Sequence, residues 1–117
     1  RKQYEQDLWY QANFDGLTGL PNRKLFNERL QHEIHVAQHD SRKLAILLID
    51  LDQFKYINDV QGHATGDLLL KDVAKRLEGI AGKTDFIARI GGDEFVAVAL
   101  AIIIQHILHP TGFRVPY

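Results

Sequence analysis

The sequence contains no cysteine and no methionine, and only three of its 117 residues are proline. Without cysteine, disulfide bonds and thiolate metal sites are excluded, which is compatible with the reducing cytoplasm. Because no methionine stands at position 1, we expect the chain to be a segment of a longer protein.

The sequence also lacks an excess of positive charge and any long apolar run. Its 14 Lys and Arg against 15 Asp and Glu give a net charge of -1, so no nucleic-acid partner is expected. The apolar runs are too short to span a bilayer, and the N-terminus has no signal-peptide pattern, so no direct membrane contact is expected in this segment. Hydrophobic residues make up 45% and charged residues 25%, which is typical of one globular domain.

Two amphipathic helices are predicted in the first forty residues. Tyr4, Leu8 and Ala12 form an apolar stripe in residues 1–13, which we interpret as the tail of a helix from an upstream sensory or regulatory domain. A frayed terminus is the alternative. A loop follows, and Asn22 is a suitable N-cap for a helix from Arg23 to about Gln38. The apolar positions of that helix are Phe26, Leu30, Ile34 and Ala37.

The middle of the chain predicts a buried strand and two more helices. The almost unbroken apolar run from Lys43 to Leu51 indicates a strand covered on both faces, and therefore a central strand. A short helix is expected from Gln53 to Val60, and a longer one from Asp67 to Ile80.

Two β-favouring runs surround Gly91-Gly92. The runs Asp85–Ile90 and Asp93–Leu100 predict a tight hairpin with positive φ at the glycines. With the preceding elements, they indicate an α/β layer arrangement that contains at least one antiparallel pair.

Acidic residues stand at the end of the buried strand and at the hairpin tip. If the hairpin pairs beside the strand, Asp50 and Asp93 converge, and hard carboxylate oxygens suit Mg²⁺. Either feature alone has a plainer interpretation, because strand-end acids such as Asp50 and Asp52 are often only solvated and a Gly-Gly hairpin is often only a turn.

Four blocks of the sequence together closely resemble the GGDEF domain of diguanylate cyclases, in its order and spacing. The resemblance runs over about residues 14–100 and stops before 101–117, a tail that we do not recognise. It implies an α/β (α+β) fold with a nucleotide-cyclase or polymerase-palm-like (ferredoxin-like) mixed sheet, helices packed on it, and an incomplete C-terminal part. The blocks are Asp15-Gly16-Leu17-Thr18-Gly19-Leu20-Pro21-Asn22-Arg23, Asp50-Leu51-Asp52-Gln53-Phe54-Lys55-Tyr56-Ile57-Asn58-Asp59, Gly62-His63-Ala64-Thr65-Gly66-Asp67 and Arg89-Ile90-Gly91-Gly92-Asp93-Glu94-Phe95.

The resemblance implies roles for individual residues. Asp50, Asp93 and the Leu51 carbonyl would bind Mg²⁺ (or Mn²⁺), and Asp93 and Glu94 occupy the catalytic signature positions. Glu94 would be a further ligand or would activate the ribose 3′-hydroxyl. Asn58 and Asp67 would read guanine, whose adjacent donors suit a carboxylate.

Further substrate contacts are expected around the phosphates. Gly91 and Gly92 would let the backbone approach the nucleotide. Gln53 and Phe54 would present free N–H groups to the phosphates. Lys55 is either another phosphate contact or a surface lysine.

The activity implied is condensation of two GTP into cyclic di-GMP with release of pyrophosphate, in bacterial second-messenger signalling. The two GTP face each other in a homodimer. The location implied is the cytoplasm, or the cytoplasmic part of a larger membrane-bound protein. Because the C-terminal part does not match, this chain could be catalytically impaired.

Two other functions are weighed against this one. The unmatched tail favours a non-catalytic nucleotide-binding or dimerisation module. A HAD-type phosphotransferase is disfavoured because Phe54 stands where its Asp-x-Asp motif needs Thr or Val.

Two further patterns are interpreted as non-functional. The three histidines of the second helix face away from its apolar stripe and are expected to be solvated; they are His32, His35 and His39. The family's Arg-x-x-Asp inhibitory site reads Gly82-Lys83-Thr84-Asp85, so no ordinary inhibitory site is expected and Asp85 is only a remnant.

Overall fold

The computed structural model of the protein describes residues 1–81 and 86–100. These ranges contain four helices and three strands. No helix among them has the length and apolar character needed to cross a membrane. In chain order the elements are α1 (Lys2–Asn13), α2 (Arg23–His39), β1 (Leu44–Asp50), α3 (Phe54–Gln61), α4 (His63–Ile80), β2 (Phe86–Arg89) and β3 (Glu94–Leu100).

The three strands form an antiparallel sheet in the order β1-β3-β2. β3 is the middle strand, and its register with β1 runs from Leu44 opposite Leu100 to Asp50 opposite Glu94. This α+β architecture confirms the predicted fold class. The described part of the sheet is wholly antiparallel.

Helices cover the two faces of the sheet. On one face Phe26 of α2 packs against Phe86 with ring centroids 5.5 Å apart, above the buried Val96 and Val98. On the other face Leu70 and Ala74 of α4 pack against Ile87 and Phe95. β3 alternates between these two cores, as the period of two along a strand requires.

The prediction that β1 is a central, doubly covered strand is wrong for the described residues. β1 lies at an edge of the sheet, and Ile46 and Leu48 are 55% and 66% exposed. Both side chains stand opposite buried valines of β3, on the face where α2 packs. On that face α2 contacts β2 and also β1, where Leu44 packs against the Phe26 cluster, but it leaves these two side chains open.

The helices confirm most of the prediction. α2 begins where expected, and the Asn22 side chain accepts a hydrogen bond from the Leu25 N–H at 3.1 Å. α1 is a helix, but Tyr4 and Leu8 of its stripe are exposed. α4 begins at His63, not at Asp67. Gly66 lies within its first turns, at a point where a Cβ would overlap the Asn58 side chain.

The connection between β2 and β3 differs from the tight hairpin that was predicted. Neither Gly91 nor Gly92 has a φ in the left-handed region. The connection is four residues long, 90–93, and is closed by the Ile90 N–H donating to the Glu94 carbonyl at 3.0 Å. A loop of this length does not need the mirror-image turn of a two-residue hairpin.

Candidate functional site

The end of β1 lies beside the β2–β3 turn. Asp50 is opposite Glu94 in the ladder, and the Leu51 N–H donates to the Asp93 carbonyl at 3.3 Å. Asp50, Asp93 and Glu94, here called the acidic cluster, are therefore held at one end of the sheet by strand register. The convergence of Asp50 and Asp93 that the sequence predicts is present.

The acidic cluster is electrostatically strained. The pKa of Asp50 is raised above its ordinary value, first by the charge of Asp93, then by lost solvation, a side-chain hydrogen bond with Asp93 and the charge of Glu94. A hydrogen bond from the Leu51 N–H acts in the opposite direction. Like charges this close favour the protonated form, and a bound cation would favour the ionised form instead.

The donors in the acidic cluster fit a magnesium or manganese ion. Carboxylate and carbonyl oxygens are hard ligands, and Mg²⁺ is usually held by one or two carboxylates while phosphate and water supply the rest. Within residues 1–81 and 86–100 no group of three or more His, Cys, Asp or Glu side chains is arranged so that it could hold a metal ion. Two carboxylates with the nearby Leu51 carbonyl match the open kind of site.

A second group of polar residues lies where α3 meets α4. The Asn58 Oδ1 is buried and has no hydrogen-bond partner among the described residues. A Cβ placed on Gly66 would overlap this oxygen and lie 3.4 Å from the Phe54 ring. Asp67 follows Gly66 and is exposed. Asn58, Gly66 and Asp67 are called the amide cluster below.

The other residues expected to bind substrate lie close in sequence to these two clusters. Gln53 precedes α3 in the left-handed conformation, with φ 59° and ψ 22°. Phe54 packs against the core, and Lys55 is exposed. A Cβ on Gly91 would lie 3.3 Å from the Glu94 Oε1, whereas one on Gly92 would meet nothing within 4 Å.

The sequence did not predict an ion pair between Asp15 and Arg89, which lies next to the β2–β3 turn. Arg89 binds the Asp15 carboxylate through its Nη1 at 3.1 and 3.2 Å, across 74 residues of sequence. The Asp15-x-x-Thr18 pattern signals a side-chain turn, and the Thr18 N–H does donate to Asp15 at 2.8 Å. No sequence pattern, however, indicated Arg89 as its partner.

A cleft of about 370 Å³ lies beside this ion pair. Asp15, Arg23 and Arg89 line it together with Gly91, whereas neither Asp50 nor the amide cluster does. It is therefore a separate feature from the two clusters, and we do not assign the nucleotide to it.

Two expectations concern residues outside the clusters. The α2 histidines are exposed, as predicted for a solvated face; they are His32, His35 and His39. The inhibitory-site positions 82–85 and the tail 101–117 lie outside the described residues.

The chain is similar to known signalling proteins. Residues 12–108 match the family described as "Diguanylate cyclase, GGDEF domain". The chain is 49% identical over 94 residues to the diguanylate cyclase TpbB of Pseudomonas aeruginosa, covering 80% of this chain but 21% of TpbB. It is 50% identical over 91 residues to MucR of the same species, a bifunctional diguanylate cyclase and cyclic di-GMP phosphodiesterase, covering 78% of this chain and 13% of MucR.

A solved structure shares the fold. The coiled coil and GGDEF domain of DgcB from Caulobacter crescentus, in complex with c-di-GMP, superposes with a TM-score of 0.82 at 31% identity. The match covers 89% of this chain and 56% of the DgcB chain. The chain thus spans about a fifth of TpbB and just over half of the solved DgcB chain.

Proposed function

Because this chain belongs to the GGDEF domain family of diguanylate cyclases, we propose that it forms the metal- and GTP-binding part of a domain that condenses two GTP into cyclic di-GMP. The observation that carries the proposal is the pairing of Asp50 with Asp93 at the end of β1, which raises the pKa of Asp50. Carboxylates held together against their mutual repulsion are typical of cation-binding sites.

In this proposal Asp50, Asp93 and the Leu51 carbonyl hold Mg²⁺ or Mn²⁺. When bound, such an ion neutralises phosphoryl charge and lowers the pKa of an attacking hydroxyl. Glu94 lies in the same cluster, where it either completes the metal site or takes the proton of the ribose 3′-hydroxyl. Asp93 and Glu94 are the catalytic residues proposed.

The amide cluster is proposed to bind guanine. The Asn58 Oδ1 is buried without a hydrogen-bond partner among the described residues, and the Asn58 amide is proposed to make the contacts at the guanine O6 or N3. Asp67, exposed beside it, accepts from the guanine N1–H and amino group. Leaving a buried acceptor unpaired costs about 1–3 kcal/mol, which binding of the base would recover.

The phosphates are proposed to lie between the two clusters. Gln53 and Phe54 begin α3 there and offer backbone N–H groups, and Lys55 is exposed next to them. Gly92 leaves open space at the turn, so a nucleotide can approach its backbone closely.

The reaction joins two nucleotides, so two chains are proposed to face each other as a homodimer. Each 3′-hydroxyl attacks the α-phosphate held by the other chain, a new phosphodiester forms, and pyrophosphate leaves. Since GTP and Mg²⁺ are cytoplasmic, the domain is proposed to work there, with α1 leading from an upstream sensory or regulatory domain.

Incubation of the purified chain with GTP and Mg²⁺ tests the proposal. We expect cyclic di-GMP in the chain's own reaction and none from Asp93→Asn, with Asp52→Asn as a matched acidic control. No product from the wild-type chain, beside an active longer form of the protein, would limit the proposal to the whole domain.

A nucleotide-binding or dimerisation module without turnover is the second candidate. It is favoured because the chain matches only 56% of the solved DgcB chain. GTP binding that is lost in Asp67→Ala, without any product from the wild-type chain or a longer form, would support this candidate.

A further inference from the structure

One side chain, that of Arg89, donates several hydrogen bonds to the backbone of the Gly91–Glu94 turn. Arg89 donates from its Nη2 to the Gly92 carbonyl at 2.8 Å, and from its Nε to the Gly91 and Gly92 carbonyls at 3.2 Å each. These two carbonyls immediately precede Asp93. A planar guanidinium that spans both fixes the orientation of this backbone far better than a single donor does.

Asp15 fixes Arg89 in turn. The side chains of Asp15 and Arg89 are only 21% and 16% exposed, so solvent screens their pairing weakly. Burial by itself would raise the pKa of Asp15, but hydrogen bonds from the Thr18 hydroxyl and N–H and from Arg89 outweigh it and lower the pKa. Asp15 is therefore ionised at neutral pH and cancels the charge of Arg89.

Two more hydrogen bonds join the segment around Asp15 to the residues just before the turn. The Arg89 N–H donates to the Pro21 carbonyl at 3.0 Å, and Arg23 donates to the Ile90 carbonyl at 3.2 Å. On the opposite side the Leu51 N–H reaches the Asp93 carbonyl at the longer distance of 3.3 Å. The residues before the turn are thus held by residues 15–23, and the residues after it are held by the ladder with β1.

We propose that Asp15 and Arg89 are positioning residues for the acidic cluster. The proposal depends on the metal binding that the proposed function assigns to this cluster. Arg89 fixes the backbone before Asp93, and this sets where Asp93 and Glu94 lie relative to Asp50. Asp15 keeps the guanidinium oriented and balances its positive charge, so that Arg89 does not compete with a cation for the Asp93 carboxylate.

Metal affinity measures this role directly. Mn²⁺ binding is followed by electron paramagnetic resonance in the wild-type chain, in Asp15→Asn, in Arg89→Lys and in the double variant. We expect each single variant to bind about tenfold more weakly, the lower end of what outer-shell partners of metal ligands contribute. The double variant should be no weaker than the weaker single variant, because both act through one pair.

The exposed ion pair of Asp72 and Arg76 on α4 supplies matched controls. Asp72→Asn and Arg76→Lys make the same chemical changes far from the turn in sequence, and they should leave Mn²⁺ affinity unchanged. Thermal unfolding of all variants shows whether they remain folded at the temperature of the binding experiment.

Hydrogen exchange supplies a readout that needs no metal. The Leu51 amide reports contact with the Asp93 carbonyl, and its exchange should accelerate about tenfold in Asp15→Asn and Arg89→Lys, a loss of protection of the size expected for local opening. The Leu70 amide, inside α4, should not change. If the wild-type chain binds no Mn²⁺, the proposed metal site fails, and Leu51 exchange alone decides the positioning role. Lower melting temperatures with unchanged Leu51 exchange and unchanged Mn²⁺ affinity would overturn the inference.

Discussion

The acidic cluster and the amide cluster are built on opposite principles. The acidic cluster lies at the end of a sheet, where strand register places Asp50 beside Asp93 and Glu94 despite their repulsion. The amide cluster lies between two helices, where the absence of a side chain at Gly66 makes room for Asn58. The acidic cluster depends on the charges of its side chains, and the amide cluster depends on how closely its side chains pack.

This difference separates stability from function in the two clusters. Removing a charge from the acidic cluster relieves repulsion, so we expect metal binding to be lost while the fold is kept. A Cβ added at Gly66 would displace the Asn58 side chain, so we expect stability and nucleotide binding to fall together. Four measurements test the contrast, from the largest expected effect to the smallest.

The largest effect is expected for Asp50→Asn. Mn²⁺ affinity should fall by more than about 100-fold, because loss of an outer-shell partner alone costs about 10–100-fold. The free energy of unfolding at neutral pH should not fall, since a repulsive charge has been removed. Asp52→Asn is the control, and an equal loss of Mn²⁺ affinity there would refute the assignment of Asp50.

Asp67→Asn should weaken GTP binding roughly 10- to 150-fold, because a hydrogen bond to a charged group contributes about 1.5–3 kcal/mol. The melting temperature should stay the same, since Asp67 is exposed. GTP binding is measured by calorimetry, with Asp72→Asn on the same helix as control. Equal GTP affinity in both variants would remove Asp67 from the guanine site.

Gly66→Ala should lower the free energy of unfolding by about 1–3 kcal/mol, the usual cost of overpacking. GTP affinity should fall with it, in contrast to Asp50→Asn. Gly79→Ala, in the same helix but with nothing within 4 Å of its added Cβ, should instead stabilise the chain by about 0.5–1 kcal/mol. Urea unfolding measures both; a stabilised Gly66→Ala would contradict the shape argument.

The smallest effect concerns pH. The folded-state pKa of Asp50 is raised above the ordinary value of 3.8. The stability that its protonated form contributes is therefore fully present below pH 3.8 and is lost as the pH rises through the folded-state pKa. Stability of the metal-free chain should therefore decline slightly across that window in the wild type but not in Asp50→Asn. Mn²⁺ affinity should change in the opposite direction and increase over the same window. Parallel wild-type and Asp50→Asn stability curves would contradict this account.

Much of the fold was predictable from local patterns. α2 follows from its apolar spacing and the Asn22 cap, and the acidic cluster follows from the strand ending at Asp50 and the turn before Glu94. The helix and the two strand ends depend on residues near one another in sequence, whereas the acidic cluster also requires β1 to pair with β3. The residue roles themselves remain predictions.

What the sequence did not reveal depends on distant partners. An apolar run cannot show which neighbour covers it, so β1 was predicted to be a central strand, although it lies at an edge of the sheet that the described residues form. The start of α4 was missed because Gly66 reads as a turn residue until Asn58 is seen beside it. The pairing of Asp15 with Arg89 joins two segments whose closeness only the fold creates.

The register between β1 and β3 also determines where the chain tolerates a change of length. Because side chains alternate along a strand, one residue inserted within β1 would turn Asp50 to the other face of the sheet and separate it from Asp93. The same insertion in the loop at residues 40–43, before β1 begins, leaves every pair of the ladder as it is. Of two single-residue insertions only a few positions apart, one should abolish the acidic cluster and the other should have no effect on it.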